Sequence, residues 1–410
     1  MRRALPASRS YDVIVVGAGY TGLAAARRIA EERPDQQILV IEGSTIGEGS
    51  AGRNSGFVIN LPHNTKLGND ADSRSNALKQ VRLYSTGLSW LETVVRQNSI
   101  DCAWSPIGKF YAAATARGEQ KLKASLDQYR EWDIGFTEYS RDGLELEFGT
   151  PYYRYGFHSS GNVFVQPAAL IRGLADSLPT NVTVIEQNPV LDLKGSTTLR
   201  VVTQRCEFSA GKVIIANNGF AKKLGLLQDR LITMFTYAAI TRPLDDEERA
   251  KLGRLPEWGT VPANRIGSTL RKTGDGRFLI RSALSYEREM DGARVSELLT
   301  ESYRRRYPNM ASHSFEHVWS GVTALTRNGA TFFGELRPNV YVSAGCNGVG
   351  ILKGSMFGRL LADLSLGLDS EELHQALAME KPTWLPPEPF RKIGVMSAIR
   401  YHAATAGPER

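Results

Sequence analysis

The sequence has few cysteines and no long apolar run, and each of these shortages excludes a class of protein. Its three cysteines, Cys102, Cys206 and Cys346, are odd in number and lack the CxxC spacing. A disulfide framework and a structural zinc site are therefore not expected, and no metal site is predicted. No stretch reaches the roughly 18 uncharged apolar residues that a membrane helix needs, so we expect no membrane span.

The N-terminus also lacks the apolar core of a secretory signal. The first residues, MRRALPASRS, are basic, and Asp12 and several glycines interrupt the apolar run that follows. The adjacent Arg2 and Arg3 are not followed by the hydrophobic region of a twin-arginine signal. Together with the cysteine usage, this predicts a reduced, cytoplasmic protein.

Charge of one sign is not concentrated anywhere, although the protein is basic overall. The 50 lysines and arginines exceed the 43 acidic residues, which gives a formal charge of +7. The densest cluster, residues 304–306, lies in a predicted amphipathic helix over residues 296–307. Because nucleic-acid binding needs a clustered basic stripe, we interpret the cluster as a solvated helix face and expect no nucleic-acid partner.

The composition is otherwise that of an ordinary folded protein. Hydrophobic residues make up 42% of the chain and charged residues 23%, which excludes wholesale disorder. At about 150 residues per domain, the length predicts two to three units or two large interleaved ones. No internal repeat or low-complexity linker separates the parts.

A nucleotide-binding motif follows the first predicted strand. Residues 11–17 (YDVIVVG) are apolar and β-branched, as in a buried parallel strand, and a G-x-G-x-x-G spacing follows. Gly17 permits the sharp turn, Gly19 lets the backbone approach a pyrophosphate, and Gly22 lets helix and strand pack closely. The unpaired N–H groups at the helix N-terminus favour the phosphate charge. The pattern predicts a dinucleotide site.

The residues that follow agree with this prediction. The helical run after the motif is broken by Pro34, and a second predicted strand, residues 38–41, ends at Glu42. A carboxylate about 20 residues after the last glycine suits the ribose hydroxyls. An acid rather than an arginine at this place disfavours a 2′-phosphate, but the motif leaves NAD and FAD as alternatives.

The segment after Glu42 is long and rich in glycine and serine, which is unusual for a strand connection. It reads GSTIGEGSAGRNSGFVIN over residues 43–60. One interpretation is a flexible surface loop. The segment also resembles that of the D-amino acid oxidase (DAO) family of FAD-dependent enzymes. There, a stretch ending in GRN-x-G wraps the ribityl chain and passes the isoalloxazine ring. The matching residues are Gly49, Ser50, Gly52, Arg53, Asn54, Ser55 and Gly56.

Four later segments resemble the same family in the expected order. Residues 163–178 (VFVQPAALIRGLADSL) resemble its P-x-x-L-x-x-x-L helix, and residues 181–190 (NVTVIEQNPV) the next strand, whose end reaches the adenine. Residues 211–220 (GKVIIANNGF) resemble the element that closes over the nucleotide. Residues 341–364 (YVSAGCNGVGILKGSMFGRLLADL) resemble the C-terminal flavin element, in which helix N–H groups stabilise negative charge near flavin N1 and O2.

The resemblance covers residues 11–367 and is closest to the gamma-glutamylputrescine oxidoreductase-like branch, since GRNSGF, WSGVTALTRNGATFFGEL and GCNGVG all occur. It implies an α/β fold of the glutathione reductase and D-amino acid oxidase type. A Rossmann-like FAD-binding domain would carry an inserted, antiparallel-sheet substrate domain. We expect the first in residues 8–100, 160–225 and 320–410, and the second in residues 101–159 and 226–319. The tail, helical over residues 391–404, is expected to pack onto the nucleotide domain.

The resemblance also implies FAD as the cofactor, bound non-covalently. In monomeric sarcosine oxidase-like members a cysteine attaches FAD, whereas the matching position here is Gly321. The implied cofactor-binding residues are Gly17, Gly19, Tyr20, Thr21, Gly22, Glu42, Gly43, Ser50, Arg53, Asn54, Ser55, Gly56, Val190, Ala216, Asn217, Gly345, Asn347, Gly348, Val349, Gly350 and Ile351.

One departure from the family concerns the substrate. In glycine oxidase-like members an arginine clamps the substrate carboxylate, and the matching position here is Thr323. Its absence argues against glycine or a simple D-amino acid as the substrate. The resemblance assigns no catalytic residue, and the pocket candidates are Phe57, His63, Arg281, Thr323 and Cys346.

Several of these candidates also have a plain structural interpretation. Cys346 fits better as a small buried residue of a glycine turn, and His63 as a solvent-facing or hydrogen-bonded histidine. Arg53 and Arg327 can bind flavin or substrate anions, or they can pair with carboxylates at a domain seam.

The resemblance implies an enzyme that oxidises a C–N bond of an amine or N-substituted amino acid. Flavin N5 accepts a hydride from the carbon beside a neutral amine nitrogen, water hydrolyses the imine, and no side-chain base is obligatory. The alternatives are an FAD enzyme acting on a non-amine substrate in a biosynthetic or modification pathway, and a non-catalytic nucleotide-binding regulator. The expected partners are a small-molecule amine and O2 or another electron acceptor. The identity of the amine, the acceptor and the oligomeric state stay open.

Overall fold

The computed structural model describes residues 4–61, 71–196, 198–310 and 313–410. Within these ranges the strands are β1 Ser10–Val16, β2 Ile38–Ile41, β3 Phe57–Val58, β4 Lys109–Ala113, β5 Phe136–Ser140, β6 Tyr155–Ser159, β7 Val163–Phe164, β8 Val182–Ile185, β9 Val190–Lys194, β10 Leu199–Thr203, β11 Glu207–Ile215, β12 Ile232–Thr241, β13 Trp258–Pro262, β14 Thr269–Lys272, β15 Phe278–Tyr286, β16 Phe315–Leu325, β17 Phe332–Arg337 and β18 Val340–Ala344.

The α-helices of the same ranges are α1 Tyr20–Glu32, α2 Ser50–Arg53, α3 Ala71–Gln97, α4 Ala116–Glu131, α5 Arg141–Phe148, α6 Pro167–Asp176, α7 Asp246–Ala250, α8 Gly292–Arg306, α9 Ile351–Leu366, α10 Glu371–Leu377 and α11 Phe390–Ala406. Short 3-10 helices lie at Asn218–Leu224, Pro308–Met310 and Gly407–Glu409. No helix in these ranges combines the length and the apolar composition that crossing a membrane requires.

The chain divides into two compact units, each assembled from three separate segments. The first comprises Met1–Cys102, Val165–Thr233 and Val322–Pro386. The second comprises Ala103–Phe164, Met234–Gly321 and Pro387–Arg410. The tail therefore departs from the prediction. Residues 387–410 cluster with the second unit, not with the nucleotide-binding part to which residues 320–410 were assigned.

The sheet of the first unit is parallel at its centre. Its order is β17-β18-β11-β1-β2-β8, with β10 paired to β11 and β9 to β10. The contiguous pairs from β18 to β8 are parallel, and the pairs at the margins are antiparallel. All four residues of β2 are buried, as expected for a central strand of a sheet covered on both faces. This is the Rossmann-like arrangement that the sequence predicts.

The sheet of the second unit has the order β16-β12-β15-β14-β13-β4-β6-β5. Its described pairs are antiparallel except for β4 with β13, which is parallel and was not predicted. A core rich in aromatic side chains packs against it, and the rings of Phe148 and Trp258 stack with centroids 4.4 Å apart. The predicted α/β fold with an inserted, mainly antiparallel sheet is therefore confirmed.

Buried polar contacts explain why the tail belongs to the second unit. The Glu409 carboxylate, in a residue only 3% exposed, accepts hydrogen bonds from the N–H groups of Ala114 (2.9 Å) and Thr115 (3.1 Å). The Thr115 hydroxyl donates to the same oxygen at 3.0 Å. The guanidinium of Arg306 donates to the carbonyl oxygens of Glu409 (3.1 Å) and Arg410 (2.9 Å).

Helix α8 carries the basic cluster of residues 304–306, and one member of the cluster corrects the sequence interpretation. Arg304 and Arg305 are exposed, as predicted for a solvated face. Arg306 is 1% exposed and also donates to the Ser302 hydroxyl at 2.6 Å. The third arginine is thus a buried structural group. The helix also begins earlier than predicted, because the Asp291 side chain caps its N-terminus.

Candidate active site

The first unit brings the predicted cofactor residues to one edge of its sheet. The parallel strands β18, β11, β1 and β2 are neighbours, and a predicted site segment follows each of them. Because the carboxyl ends of parallel strands meet at the same edge, these segments lie side by side. Backbone hydrogen bonds from Ala216 to Val16 (2.9 Å) and from Gly17 to Ile41 (2.8 Å) connect this edge.

Two glycines make the turn between β1 and α1 tight. Gly17 has φ of +103°, a conformation that L side chains rarely adopt. A Cβ on Gly22 would lie 1.8 Å from the carbonyl oxygen of Gly17. By contrast, no heavy atom lies within 4 Å of the Cβ position of Gly19, which precedes Tyr20 and Thr21 at the start of α1. Gly17 and Gly22 therefore serve the tight turn and its packing, whereas Gly19 borders open space.

Other glycines at this edge border open space in the same way. No heavy atom lies within 4 Å of a Cβ built on Gly49, Gly348 or Gly350. Gly350 is the N-cap of α9, and α9 packs closely on α1, since a Cβ on Gly354 would lie 3.1 Å from Thr21 Oγ1. The N-termini of α1 and α9 therefore lie near each other. Their unpaired N–H groups favour anionic atoms of a ligand.

The carboxylate of Glu42 is held at the end of β2 by backbone donors. Its Oε2 accepts from the Ala18 N–H at 2.9 Å, and its Oε1 accepts from the Ser44 N–H at 2.9 Å. An ionised carboxylate offers about four acceptor positions, so both oxygens can still accept hydroxyl groups. The orientation of Glu42 is thus fixed by the β1–α1 turn itself.

The chain that follows β8 approaches Glu42 as well. The Asn188 N–H donates to the Glu42 carbonyl oxygen at 3.0 Å. A Cβ on Gly43 would lie 3.6 Å from the Cα of Pro189, which directly precedes Val190. Asn188 is fully buried, yet neither polar atom of its side-chain amide has a hydrogen-bond partner in the described ranges.

The segment between β2 and β3 is ordered by hydrogen bonds and is not a loose surface loop. The Ser50 hydroxyl donates to the Val322 carbonyl oxygen (2.5 Å) and accepts from the Val322 N–H (2.9 Å). The Asn54 amide donates to the Ala51 carbonyl oxygen (2.7 Å) and accepts from the Gly56 N–H (2.9 Å). These bonds lock the backbone of the GRNSG motif.

The other residues of this motif differ in exposure. Arg53 at the end of α2 is exposed, whereas Ser55 and Phe57 are half-buried. Gly56 is buried with φ of +77°, and its carbonyl oxygen accepts from the Val165 N–H at 3.0 Å. Gly56 therefore turns the chain into β3 at a place where a larger residue would be strained.

The turn from β18 to α9 contains three residues with positive φ. Gly345, Asn347 and Gly348 have φ of +85°, +54° and +81°. Asparagine tolerates this conformation better than most residues, and here the Asn347 Oδ1 also accepts from the Thr326 N–H at 2.9 Å. The apolar residues of the same motif, Val349 and Ile351, are buried.

A polar cluster of Asn218, Thr323 and Cys346 lies beside this turn. The Asn218 Oδ1 accepts from the Gly345 N–H at 2.9 Å, and its Nδ2 donates to the Cys346 sulfur at 3.2 Å. The Thr323 hydroxyl lies 3.4 Å from the same sulfur. Two of the pocket candidates, Thr323 and Cys346, are therefore in contact. The Oδ1 of Asn217 is buried and has no hydrogen-bond partner in the described ranges.

These unpaired buried atoms fit a large ligand with several polar groups. Folded proteins pair nearly all of their buried polar atoms, so Asn188 and Asn217 at one sheet edge are exceptions that require a reason. The open space at Gly19 and Gly350 lies at the same edge. A dinucleotide supplies hydroxyl, phosphate and ring groups over such a distance, and the residues present therefore fit FAD.

The remaining candidates are not joined to this cluster by any described contact. Arg281 lies on β15 in the second unit, where its guanidinium donates to Thr269 Oγ1 at 3.4 Å and burial lowers its pKa. His63 lies outside the described residues. Arg327 is exposed on the chain after β16.

The sequence pattern predicted no role for Asn188 or Lys353, whereas Asn218 belongs, with Ala216 and Asn217, to the segment that resembles the element closing over the nucleotide. The asparagine pair that follows Ala216, just beyond the end of β11, is the signal that points to Asn218. Lys353 is a charged residue in the apolar first turns of α9 and is only 4% exposed. In the part of the chain that the structure describes, no group of His, Cys, Asp and Glu could hold a metal ion.

The fold and the site together define a class of protein. A Rossmann-like sheet with glycine turns after its first and last parallel strands, and a second unit built on a separate sheet, are typical of two-domain dinucleotide-dependent oxidoreductases. The family model described as DAO, FAD-dependent oxidoreductase, matches residues 12–364. The chain therefore belongs to this family of FAD-dependent oxidoreductases, and FAD is its cofactor.

Relatives and solved structures resemble almost the whole chain. The gamma-glutamylputrescine oxidoreductase of Escherichia coli is 28% identical over 87% of this chain and 84% of its own. A probable oxidoreductase, OrdL, of Haemophilus influenzae is 23% identical over 95% of this chain and 91% of its own. The structure of glycine oxidase from Geobacillus kaustophilus has a TM-score of 0.75 at 19% identity, covering 89% of this chain and 96% of that one. The last likeness supports the fold alone.

Proposed function

We propose that this protein uses FAD to oxidise a C–N bond of an amine or an N-substituted amino acid. The observation that carries the proposal is the alignment of 87% of the chain with an oxidoreductase named for gamma-glutamylputrescine. The substrate side supports it. Thr323 occupies the position of the carboxylate-binding arginine of glycine oxidase-like members, and its hydroxyl contacts Cys346 at 3.4 Å. A threonine cannot form the bidentate clamp that a simple α-amino acid uses.

We also propose which residues hold FAD, on the basis of their place at the carboxyl edge of the first sheet. The pyrophosphate would lie at the β1–α1 turn, and Glu42 would accept the ribose hydroxyls. Asn188 and Asn217 offer unpaired buried atoms to the same ligand. The full set comprises Gly17, Gly19, Tyr20, Thr21, Gly22, Glu42, Gly43, Ser50, Arg53, Asn54, Ser55, Gly56, Asn188, Val190, Ala216, Asn217, Gly345, Asn347, Gly348, Val349, Gly350 and Ile351.

The cofactor is proposed to be bound without a covalent link. The position of the attaching cysteine in sarcosine oxidase-like members is Gly321, which has no nucleophilic side chain. The Cys346 sulfur already accepts a hydrogen bond from Asn218 at 3.2 Å and contacts the Thr323 hydroxyl. Retention of FAD then depends on the turns and helix N-termini described above.

FAD, when bound, supplies the acceptor for a hydride from the substrate carbon. The chain supplies orientation. The cluster of Asn218, Thr323 and Cys346 offers neutral hydrogen-bonding groups that can orient an amine. Among the residues that the structure describes, no carboxylate contacts this cluster. A site without an ionised partner favours the neutral amine over the ammonium ion, and the neutral form is the reactive one.

A product assay tests the proposal. The purified holoenzyme is given primary amines, secondary amines and N-substituted amino acids, each beside the alcohol of the same carbon skeleton, with an artificial electron acceptor. We expect one amine class to yield a carbonyl compound that a hydrazine reagent traps, together with released ammonia or amine. Carbonyl product from an alcohol or hydroxy acid, with none from any amine, would overturn the proposal and favour a non-amine substrate.

A further inference from the structure

Lys353 is a buried lysine that the described structure leaves without a hydrogen bond or an ion pair. It lies in the first turn of α9, three residues after the N-cap Gly350, and is 4% exposed. Lysine is almost never buried to this degree unless it is paired. A buried ammonium ion without a partner destabilises the folded protein strongly, unless the lysine is uncharged during part of its working cycle.

The surroundings of Lys353 favour the uncharged form. The N-terminus of α9 carries the positive end of the helix dipole, which repels an ammonium ion in the first turn. Burial lowers the pKa of Lys353 to about 8, an effect that the Cys346 thiol partly opposes. The side chain is therefore poised between its two protonation states near neutral pH, as lysines that act as proton acceptors are.

Among the residues that the structure describes, the titratable groups on the elements packed against α9 do not compensate a charge on Lys353. Tyr20 of α1, Tyr84 of α3 and Tyr341 of β18 have pKa values raised by burial, so they stay neutral in this pH range. The ion pair of Arg28 with Asp363 is ten residues further along α9, about 15 Å away. Arg27 of α1 is buried, but it is itself a cation and donates to the Ser177 carbonyl oxygen at 2.6 Å. The charged residues whose side chains are described on α3, α10 and β17 are exposed or half-exposed: Arg74, Lys79, Arg82, Glu92, Arg96, Glu335, Arg337, Glu371, Glu372 and His374.

The position of Lys353 links it to the candidate active site. The turn that carries Cys346 leads directly into α9, and Lys353 lies seven residues after Cys346. Cys346 contacts Thr323 and Asn218 in the polar cluster. The glycines that precede it, Gly348 and Gly350, border open space. An amine ligand at the cluster would therefore meet the first turn of α9.

We propose that Lys353, in its neutral form, is the proton acceptor for the ammonium group of the substrate. This inference rests on the proposed amine-oxidising function. An N–H bond of the substrate ammonium breaks, its electron pair stays on the substrate nitrogen, and the proton forms a new bond to the Nζ of Lys353. The products are a neutral amine, ready for hydride loss from the adjacent carbon, and a lysine ammonium that later returns its proton to solvent.

The test compares wild type, Lys353→Met and Lys353→Arg in the FAD-loaded form. The rate constant of anaerobic flavin reduction by the substrate amine is measured against pH. For wild type we expect a rise through the pKa of Lys353 and then a plateau. Both variants should be at least tenfold slower at pH 7, and the rise should move toward the pKa of the free amine, about 10. Arginine should not restore the rate because its guanidinium keeps its proton.

Competitive labelling gives a readout that is independent of turnover. The wild-type holoenzyme is treated with trace acetic anhydride at pH values from about 6 to 10, with and without a tertiary-alkyl primary amine, which has no hydrogen on the carbon beside nitrogen. Acetylation of Lys353, followed by peptide mass spectrometry, should rise through the same pKa as flavin reduction, because only the neutral lysine reacts. The bound amine should suppress this labelling.

A matched control separates this role from a structural one. Lys272 is equally buried (4% exposed) and its pKa is also lowered by burial, but it donates to the carbonyl oxygens of Arg249 and Gly253 at 3.0 Å. Lys272→Met should lose stability and keep the wild-type pH profile. FAD content and circular dichroism report whether each variant folds, and Lys353→Gln replaces Lys353→Met if the latter does not.

Each outcome has a distinct meaning. A wild-type pH profile in Lys353→Met, or labelling of Lys353 that the amine does not suppress, would contradict the inference while leaving the proposed function intact. Restoration by Lys353→Arg would contradict it too, because a fixed charge would then suffice. A wild-type flavin that no amine reduces would contradict the proposed function and this inference together.

Discussion

The side chain of Glu42 shows how one acid organises the nucleotide edge. Both of its oxygens accept backbone N–H groups, at 2.9 Å each, and so connect the end of β2 to the β1–α1 turn. The same oxygens are proposed to accept the ribose hydroxyls of FAD. One residue would therefore serve the apoprotein and the cofactor at once.

Glu42→Ala should weaken both functions. The unfolding free energy of the apoprotein should fall by about 1–3 kcal/mol, because the N–H groups of Ala18 and Ser44 lose their acceptor, and the Kd for FAD should rise at least tenfold. Urea unfolding and fluorescence titration with FAD measure the two effects. Glu48→Ala is the control, since Glu48 is exposed and its hydrogen bonds are to Ser44 and Thr45 of the same segment. Wild-type FAD affinity in Glu42→Ala would contradict the proposed ribose contact.

Gly321 stands where sarcosine oxidase-like members have the cysteine that attaches FAD, and this predicts that FAD is bound non-covalently. Denatured protein should have the mass of the polypeptide alone, and FAD should appear in the supernatant after precipitation. Intact-mass spectrometry under denaturing conditions measures both. A protein mass increased by that of FAD would show a covalent link and would exclude the non-covalent proposal. If the Cys346→Ser variant then lacked the added mass of FAD, Cys346 would be the site of attachment.

The contact between α1 and α9 depends on glycines in the sequence GSMFG. A Cβ on Gly358 would lie 2.1 Å from the carbonyl oxygen of Thr21 and 2.9 Å from the Cβ of Ala24. Gly354, one turn earlier, approaches the start of α1 in the same way. These glycines bring the N-termini of the two helices close together, which is the arrangement that the proposed FAD site requires.

Gly358→Ala should therefore destabilise the protein and weaken FAD binding. We expect a loss of about 1–3 kcal/mol from overpacking, measured by urea unfolding, and a higher Kd for FAD. Gly394→Ala is the matched control on α11, because no heavy atom lies within 4 Å of its Cβ position. That control should be neutral or stabilising by up to about 1 kcal/mol, the helix preference of alanine over glycine. Equal stability of the two variants would refute the close helix contact.

The tail segment is held by a buried acid whose pKa is raised, mainly by burial. An acid with a raised folded pKa contributes stability below its unfolded pKa, and that contribution is lost as pH rises through the folded value. Ionised Glu409 therefore costs stability at neutral pH, although its Oε1 accepts three hydrogen bonds.

Two substitutions of Glu409 should separate charge from hydrogen bonding. Glu409→Gln keeps the accepting oxygen without the charge, so it should match or exceed wild-type stability at pH 8, and this advantage should shrink toward pH 5. Glu409→Ala leaves the N–H groups of Ala114 and Thr115 without an acceptor and should cost about 1–3 kcal/mol at both pH values. Urea midpoints at the two pH values measure this. A destabilising Glu409→Gln with no pH trend would contradict the burial argument.

Much of the molecule could be predicted because its signals are local. The motif at Gly17, Gly19 and Gly22 encodes its own turn, and the glycines after β18 do the same. The tail could not be placed, because its anchor joins Arg306 to Glu409 across 103 residues of sequence. The burial of Lys353 could not be predicted either, since it depends on how α9 packs on α1 and α3 and not on the neighbouring residues in the sequence.

The proposed reaction of this protein is the transfer of electrons from an amine to FAD. The most direct test is an anaerobic absorbance titration of the purified holoenzyme with amines, N-substituted amino acids and matched alcohols, each added singly. We expect one amine class to bleach the visible flavin band stoichiometrically while the matched alcohol does not, and readmitted air then distinguishes an oxidase from a dehydrogenase. A bound flavin that no amine reduces would contradict the proposed amine oxidation.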